Sequence, residues 1–171
     1  NDAPTVADAT LTIDEDTPPA PFDEYGRTKL AAEQLLRASD HRGVVLRVTG
    51  VFGHPDRDGV FLDRAVGMAL DGRPIPLAEP DRPEDAVAVD WLAGAVVRAA
   101  TSDVAEDRTL HLAGPVRPLS GIINALGTVV TAATGRAVRT VPLSQPASTK
   151  PLLDAGRAVE ILDLPPHPDD E

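Results

Sequence analysis

The run Val44-Val45-Leu46-Arg47-Val48, bounded by Gly43 and Gly50, constrains the fold more than any other part of the chain. A short, mostly apolar run without polar alternation reads as a strand buried on both faces, the pattern of a parallel sheet. Parallel neighbours need a crossover, and a helix precedes this run. Leu30, Ala31, Gln34, Leu35 and Ala38 recur at helical spacing, which predicts a helix from about Tyr25 to Ser39.

The alternation continues downstream. Helices are predicted over 60–70, closed by Asp71-Gly72, over 90–100, and over 120–134 with Ser120 as N-cap and Gly135 as stop. A last helix is predicted over 154–162. Strands are predicted at 85–89, 109–112 and 138–143, with Pro74-Ile75-Pro76-Leu77 extended at an edge. Residues 1–24 and 165–171 lack periodicity and read as loop and loose tail. No internal repeat occurs. The fold class is therefore α/β with mainly parallel pairing.

At 171 residues the chain is long enough for one packed core, and with only 3% aromatic residues that core must be built from Ala, Val, Leu and Ile. The net charge of −11 repels phosphate backbones and anionic lipid, so neither nucleic acid nor a membrane surface is expected as partner. The absence of cysteine excludes disulfides and thiolate chemistry, and it fits a cytoplasmic location. No apolar run reaches the roughly 18 residues of a membrane span. No charged-then-apolar leader opens the chain, and its first residue is Asn1, so a processing or truncation boundary is expected there. His41, His54, His111 and His167 are scattered without ligand spacing, and no metal site is expected.

Chemistry concentrates in Tyr25-Gly26-Arg27-Thr28-Lys29. Residues four apart share a helix face, so a phenol and an ammonium can enter one pocket. A neighbouring cation favours phenolate and draws a phenol down from its usual value near 10. Such a tyrosine can exchange a proton with a carbonyl or hydroxyl oxygen. The same spacing also arises in ordinary amphipathic helices, with Lys solvated and Tyr half-buried.

In context the stretch resembles the extended short-chain dehydrogenase/reductases, the NAD-dependent epimerase/dehydratase group. It is most similar to 4-ketoreductases of deoxysugar pathways such as dTDP-4-dehydrorhamnose reductase. Tyr25 to Lys29 continues as Leu30-Ala31-Ala32-Glu33, after the acidic, proline-containing lead-in Glu15-Asp16-Thr17-Pro18-Pro19. Leu46-Arg47-Val48-Thr49-Gly50-Val51-Phe52-Gly53-His54-Pro55 is similar to the family's Leu-Arg-x-x-x-Val-Tyr-Gly-Pro segment, with Phe52 at the usual Tyr. Ala88-Val89-Asp90-Trp91-Leu92-Ala93 resembles its His-Val-Asp-Asp-Leu-Ala junction.

The resemblance implies a Rossmann-like α/β fold whose N-terminal dinucleotide-binding half is missing. Residues 1–59 would end the Rossmann portion, and 60–171 would form the substrate-binding portion and closing elements. Tyr25 would be the acid/base, and Lys29 its partner and a ligand of the nicotinamide ribose. Thr49, Gly50 and Val51 would line the cofactor, while Phe52, Gly53, His54 and Arg82 would line a sugar-like substrate. NAD or NADP is implied for the whole enzyme but not for this chain alone, because Gly-x-x-Gly-x-x-Gly is absent. Gly50-x-x-Gly53 cannot replace it, since His54-Pro55-Asp56 does not open a phosphate-cradling helix. None of Thr5, Thr10 and Thr12 is assigned the family's catalytic Ser/Thr role. The implied partners are a small-molecule substrate, the missing half or a companion chain, and a second copy of the chain.

Two departures point elsewhere. Glu84-Asp85 stands where Arg-Asp is usual, which would repel a diphosphate unless Arg82 reaches over it. Ala88 and Trp91 replace the junction's His and second Asp. A cofactor-free scaffold serving as a binding or assembly module is the competing reading.

Overall fold

The structure, a computed structural model, describes residues 11–53, 61–78, 81–143 and 151–167. In chain order the elements are β1 (Thr12–Ile13), α1 (Glu24–Arg37), β2 (Val45–Val48), β3 (Val51–Phe52), α2 (Phe61–Leu70), β4 (Ile75–Leu77), β5 (Pro83–Glu84) and β6 (Val87–Ala88). They continue as α3 (Val89–Thr101), β7 (Thr109–Leu112), β8 (Arg117–Pro118), α4 (Leu119–Thr134), β9 (Thr140–Pro142), β10 (Leu152–Leu153) and α5 (Gly156–Leu162).

Pairing is mainly parallel, as the alternation predicts: β1·β10, β2·β7, β3·β6 and β4·β9 are parallel, and β5·β8 is antiparallel. The β2·β7 ladder is the longest, running from Val45↔Thr109 to Val48↔Leu112. Beyond it the chain changes partner. Thr49 N–H still donates to the Leu112 carbonyl at 3.2 Å, but the Gly50 carbonyl accepts from Val87 N–H at 2.8 Å. Thr49–Gly50 is thus the point where the chain leaves one strand pair and enters the next.

Two cores flank this junction. One joins Leu62, Ala65 and Ala69 of α2 to Ile75, Leu119, Ile123 and Val130. The other joins Ala95 and Ala99 of α3 to Leu110, Leu112, Ala158 and Leu162, with Leu46 and Trp91 packed against it. Small alanines let the helices approach the strands closely, which suits a chain with so few aromatic residues.

The structure departs from the sequence reading in five places. The lead-in contains β1, which pairs with β10 more than a hundred residues away. Of the stretch predicted as strand 85–89 only Val87–Ala88 (β6) is strand; β5 lies just before it, and Val89 already begins α3. The 154–162 helix starts later, after β10. Ser120 is not the N-cap of α4. It lies in the first turn and is itself capped from outside, its N–H and hydroxyl both donating to the Asp81 carboxylate. The tail is tied down at its start, where Trp91 Nε1 donates to the Pro165 carbonyl at 3.1 Å and the His167 ring lies 5.5 Å from the Trp91 ring.

Candidate active site

The helix carrying Tyr25 and Lys29 has a well-defined start. The Asp23 side chain accepts from Gly26 N–H at 2.7 Å, Glu24 occupies the first turn, and Arg37 the last. Gly26 is required here, because a Cβ would sit 2.9 Å from Pro21 Cβ and 3.0 Å from Asp23 Oδ1. The proline lead-in therefore lies directly on the first turn. Tyr25 is 70% exposed, and Lys29 Nζ stands 5.3 Å from the centre of its ring. The two side chains share one face, with the ammonium over the aromatic ring.

Two anchors orient α1 on the β2·β7 pair. Arg37, in its last turn, donates to the hydroxyl of Thr109, the first residue of β7. One turn beyond Lys29, Glu33 accepts from Arg47 of β2 at 3.0 and 2.8 Å. The hydrogen bonds from Arg47 hold the Glu33 carboxyl below the usual carboxylate range. The helix thus runs antiparallel to the strands, and its first turns project toward the end of β2 that leads into Thr49 and Gly50.

At that end the backbone is knitted through Asp85, a residue fully buried. Its carbonyl accepts from the Thr49 hydroxyl at 2.7 Å and from Gly114 N–H at 2.9 Å, and its carboxylate accepts from Leu153 N–H at 3.0 Å. Gly114 has no alternative, since a Cβ there would fall 2.0 Å from the Ala86 carbonyl oxygen. Gly50 differs: a Cβ at that position meets nothing within 4 Å, so open space lies above its backbone. Val51 and Phe52 form β3, and Phe52 packs against the α2·α4 core. Gly53 adopts φ +100°, in the region that favours glycine, and its N–H donates to Asp63 Oδ1 at 2.9 Å.

Arg82 is engaged by Glu84, with Nη2 3.4 Å from Oε2. The acidic residue that replaces the usual arginine is therefore partly neutralised by its neighbour. His54 lies outside the described residues. Among the described residues no group of three or more His, Asp or Glu is placed to hold a metal ion. No helix among them is long and apolar enough to cross a membrane.

The sequence reading missed Asp85, Asp63 and the Glu33–Arg47 clamp as site-building residues. Glu33 and Arg47 were visible inside the quoted motifs, but only as motif letters. The helix-to-strand register that joins them has no local signal. Also unread was a charged network beside β7. Glu15 Oε1 accepts from His111 N–H at 2.9 Å, Glu15 Oε2 lies 3.4 Å from Arg157 Nε, and Arg157 also binds Asp16. His111 is completely buried, and this desolvation, with the Arg47 charge nearby, holds its imidazole below its ordinary value against the opposing pull of Glu15.

Parallel strands packed with helices, with the chain switching strand partners at Thr49–Gly50, define a Rossmann-like α/β protein. Residues 6–141 match the family described as the RmlD substrate binding domain, and the chain belongs to that family. This agrees with the resemblance to extended short-chain dehydrogenase/reductases read from the sequence. No curated protein sequence matches the chain.

Solved structures with the same fold include UDP-glucuronic acid 4-epimerase from Bacillus cereus in complex with NAD. It has 20% identity and a TM-score of 0.74, with 91% of this chain and 49% of that one covered. MoeE5 in complex with UDP-glucuronic acid and NAD has 24% identity and a TM-score of 0.73, covering 93% and 55%. The dTDP-glucose 4,6-dehydratase from Bacillus anthracis in complex with NAD has 16% identity and a TM-score of 0.72, covering 92% and 51%. The chain spans about half the length of the structures it matches.

Proposed function

We propose that this chain supplies the acid/base tyrosine and the substrate side of an NAD(P)-dependent oxidoreductase or epimerase acting on a sugar nucleotide, with a companion half holding most of the cofactor. The observation that carries the reading is the Tyr25–Lys29 pair, on one helix face at 5.3 Å and exposed at the end of α1 that points toward Gly50. Ligands of open α/β sheets settle at the carboxyl ends of strands where the topology switches, and Thr49–Gly50 is such a place. The open space over Gly50 suits the flat nicotinamide end of the cofactor. The sequence has no Gly-x-x-Gly-x-x-Gly turn to cradle its pyrophosphate beside the nicotinamide, which is why a companion half enters the proposal. The sugar-nucleotide class rests on the matched enzymes, whose bound molecules include UDP-glucuronic acid and NAD.

In this reading Tyr25 gives its proton to a carbonyl oxygen or takes one from a hydroxyl. Lys29 balances the charge that then appears on the phenol oxygen and hydrogen-bonds the nicotinamide ribose. When bound, NAD(P) supplies hydride exchange at carbon. Thr49, Gly50 and Val51 line the cofactor with their backbone, since the Thr49 hydroxyl proton is given to Asp85. Phe52, Gly53 and His54 border the sugar, and Arg82 meets the diphosphate once it turns from Glu84.

A titration of the complete protein with NADH, followed by nicotinamide fluorescence, tests the proposal. Saturable binding strengthened by UDP-glucuronic acid or UDP-glucose is expected. A complete protein that binds neither NADH nor NADPH contradicts it. The second reading, a cofactor-free scaffold, is favoured by one observation: Arg82, the cation proposed to meet the diphosphate, is paired with Glu84. It predicts that same negative titration.

A further inference from the structure

We propose a second binding site, for a small phosphorylated anion, at the opposite end of the β2·β7 pair from Tyr25. A cavity of about 430 Å³ opens between the lead-in loop, the last turn of α1 and the start of β7, and four arginines line it: Arg37, Arg47, Arg108 and Arg157. A neighbouring cavity of about 320 Å³ shares Arg37 and Arg108 with it. Two of the four are neutralised in place. Arg47 is bound by Glu33, and Arg157 by Asp16 and Glu15.

Arg37 and Arg108 differ. Their bonds go to uncharged oxygens, Arg37 to the Thr109 hydroxyl and Arg108 Nε to the Val104 carbonyl at 2.7 Å. Neither has a carboxylate partner among the described residues. Glu33, Glu15 and Asp16 thus offset Arg47 and Arg157, while Arg37 and Arg108, beside Asp40 and Asp107 in the neighbouring cavity, form no ion pair among the described residues. Those single bonds aim both side chains while leaving most of their N–H groups unused.

The cavity wall is pre-built. Thr17 is held by its N–H and hydroxyl bonds to Asp14 at 2.9 and 2.7 Å, and Pro18 and Pro19 follow with fixed φ. Two guanidinium forks facing one space suit a group with two negative charges and planar sets of acceptor oxygens, the chemistry of phosphate and diphosphate. The chain's acidity excludes an extended polyanion and restricts the ligand to a small one. The site does not depend on the proposed catalytic role of Tyr25.

Calorimetric titration of inorganic pyrophosphate into the chain at low ionic strength tests this. One saturable event in the sub-millimolar to millimolar range is expected, weakened at least about tenfold in R37Q/R108Q and unchanged in R136Q, whose side chain lines neither cavity. The charge-preserving pair R37K/R108K removes the forks without removing the charge, and a several-fold loss is expected there too. The absence of saturable heat with wild-type chain overturns the site. So does undiminished binding by either double variant. Binding lost in R82Q but kept in R37Q/R108Q places the anion on the proposed substrate side and overturns it as well.

Discussion

Glu33, at the middle of α1, receives two hydrogen bonds from the Arg47 guanidinium of β2, at 3.0 and 2.8 Å. Both side chains are mostly shielded, with 16% and 20% exposure, so the pair is screened far less than a surface ion pair. Its position matters more than its strength, because it sets how the Tyr25 end of the helix stands against the Thr49 end of the strand.

Arg47→Lys keeps the charge but loses the fork and one of the two bonds. We expect it to lower stability by about 1–2 kcal/mol, and Arg47→Met by about 2–4 kcal/mol, because the second change strands a shielded carboxylate. Urea unfolding measures both. A loss below about 0.5 kcal/mol for Arg47→Met would show that the clamp is a solvated contact.

The buried His111 predicts how stability depends on pH. Its folded-state value lies below the ordinary 6.5, so the unfolded chain takes up the proton more readily than the fold does. Stability from this group is complete above pH 6.5 and falls as pH drops through the window beneath it. Glu33, also lowered in the fold, contributes in the same direction but only below its ordinary 4.5. Thermal unfolding between pH 7.5 and about 5 should therefore show a decline that His111→Gln abolishes. A flat profile in the unsubstituted protein would contradict the burial of that ring.

Two glycines at the same end of the sheet should respond oppositely. Gly114→Ala drives a methyl group into the Ala86 carbonyl and should cost about 3 kcal/mol or more, by forcing backbone movement. Gly50→Ala enters open space and should leave stability within about 0.5 kcal/mol, yet weaken cofactor binding in the complete protein. Equal effects on stability would remove the distinction between a packed glycine and one left open for a ligand.

Trp91 is the chain's single tryptophan, and its indole N–H is committed to Pro165 with His167 against the ring. Ending the chain at Leu164 should expose the ring to water and red-shift its emission. Unchanged emission would mean that the tail does not dock there.

How much of this was legible beforehand depends on the range of the interaction. The α1 helix, the 109–112 strand and the left-handed stop at Gly135 follow from spacing and glycine alone, and the structure has them as read. β1, β5, β8 and β10 are two-residue strands, too short to carry a period, and each exists because a distant segment supplies its partner. The α1 stripe illustrates a different limit. Its spacing predicted the helix, yet no residue of α1 is buried and Leu35 is 73% exposed. Periodicity reports which face is apolar and not what covers it. At the candidate site the Tyr25–Lys29 face was readable from the four-residue spacing. The Asp85 hub was not, because the bonds from Thr49 and Gly114 are accepted by a backbone carbonyl that any residue possesses.

The proton-transfer role of Tyr25 is the claim on which the functional reading rests. The most direct measurement is turnover of a sugar nucleotide by the complete protein with Tyr25→Phe, alongside its NADH affinity. The account predicts a fall in kcat of roughly 10²–10⁴-fold with NADH binding nearly unchanged, because only the proton donor is removed. Turnover equal to that of the unsubstituted protein would contradict it.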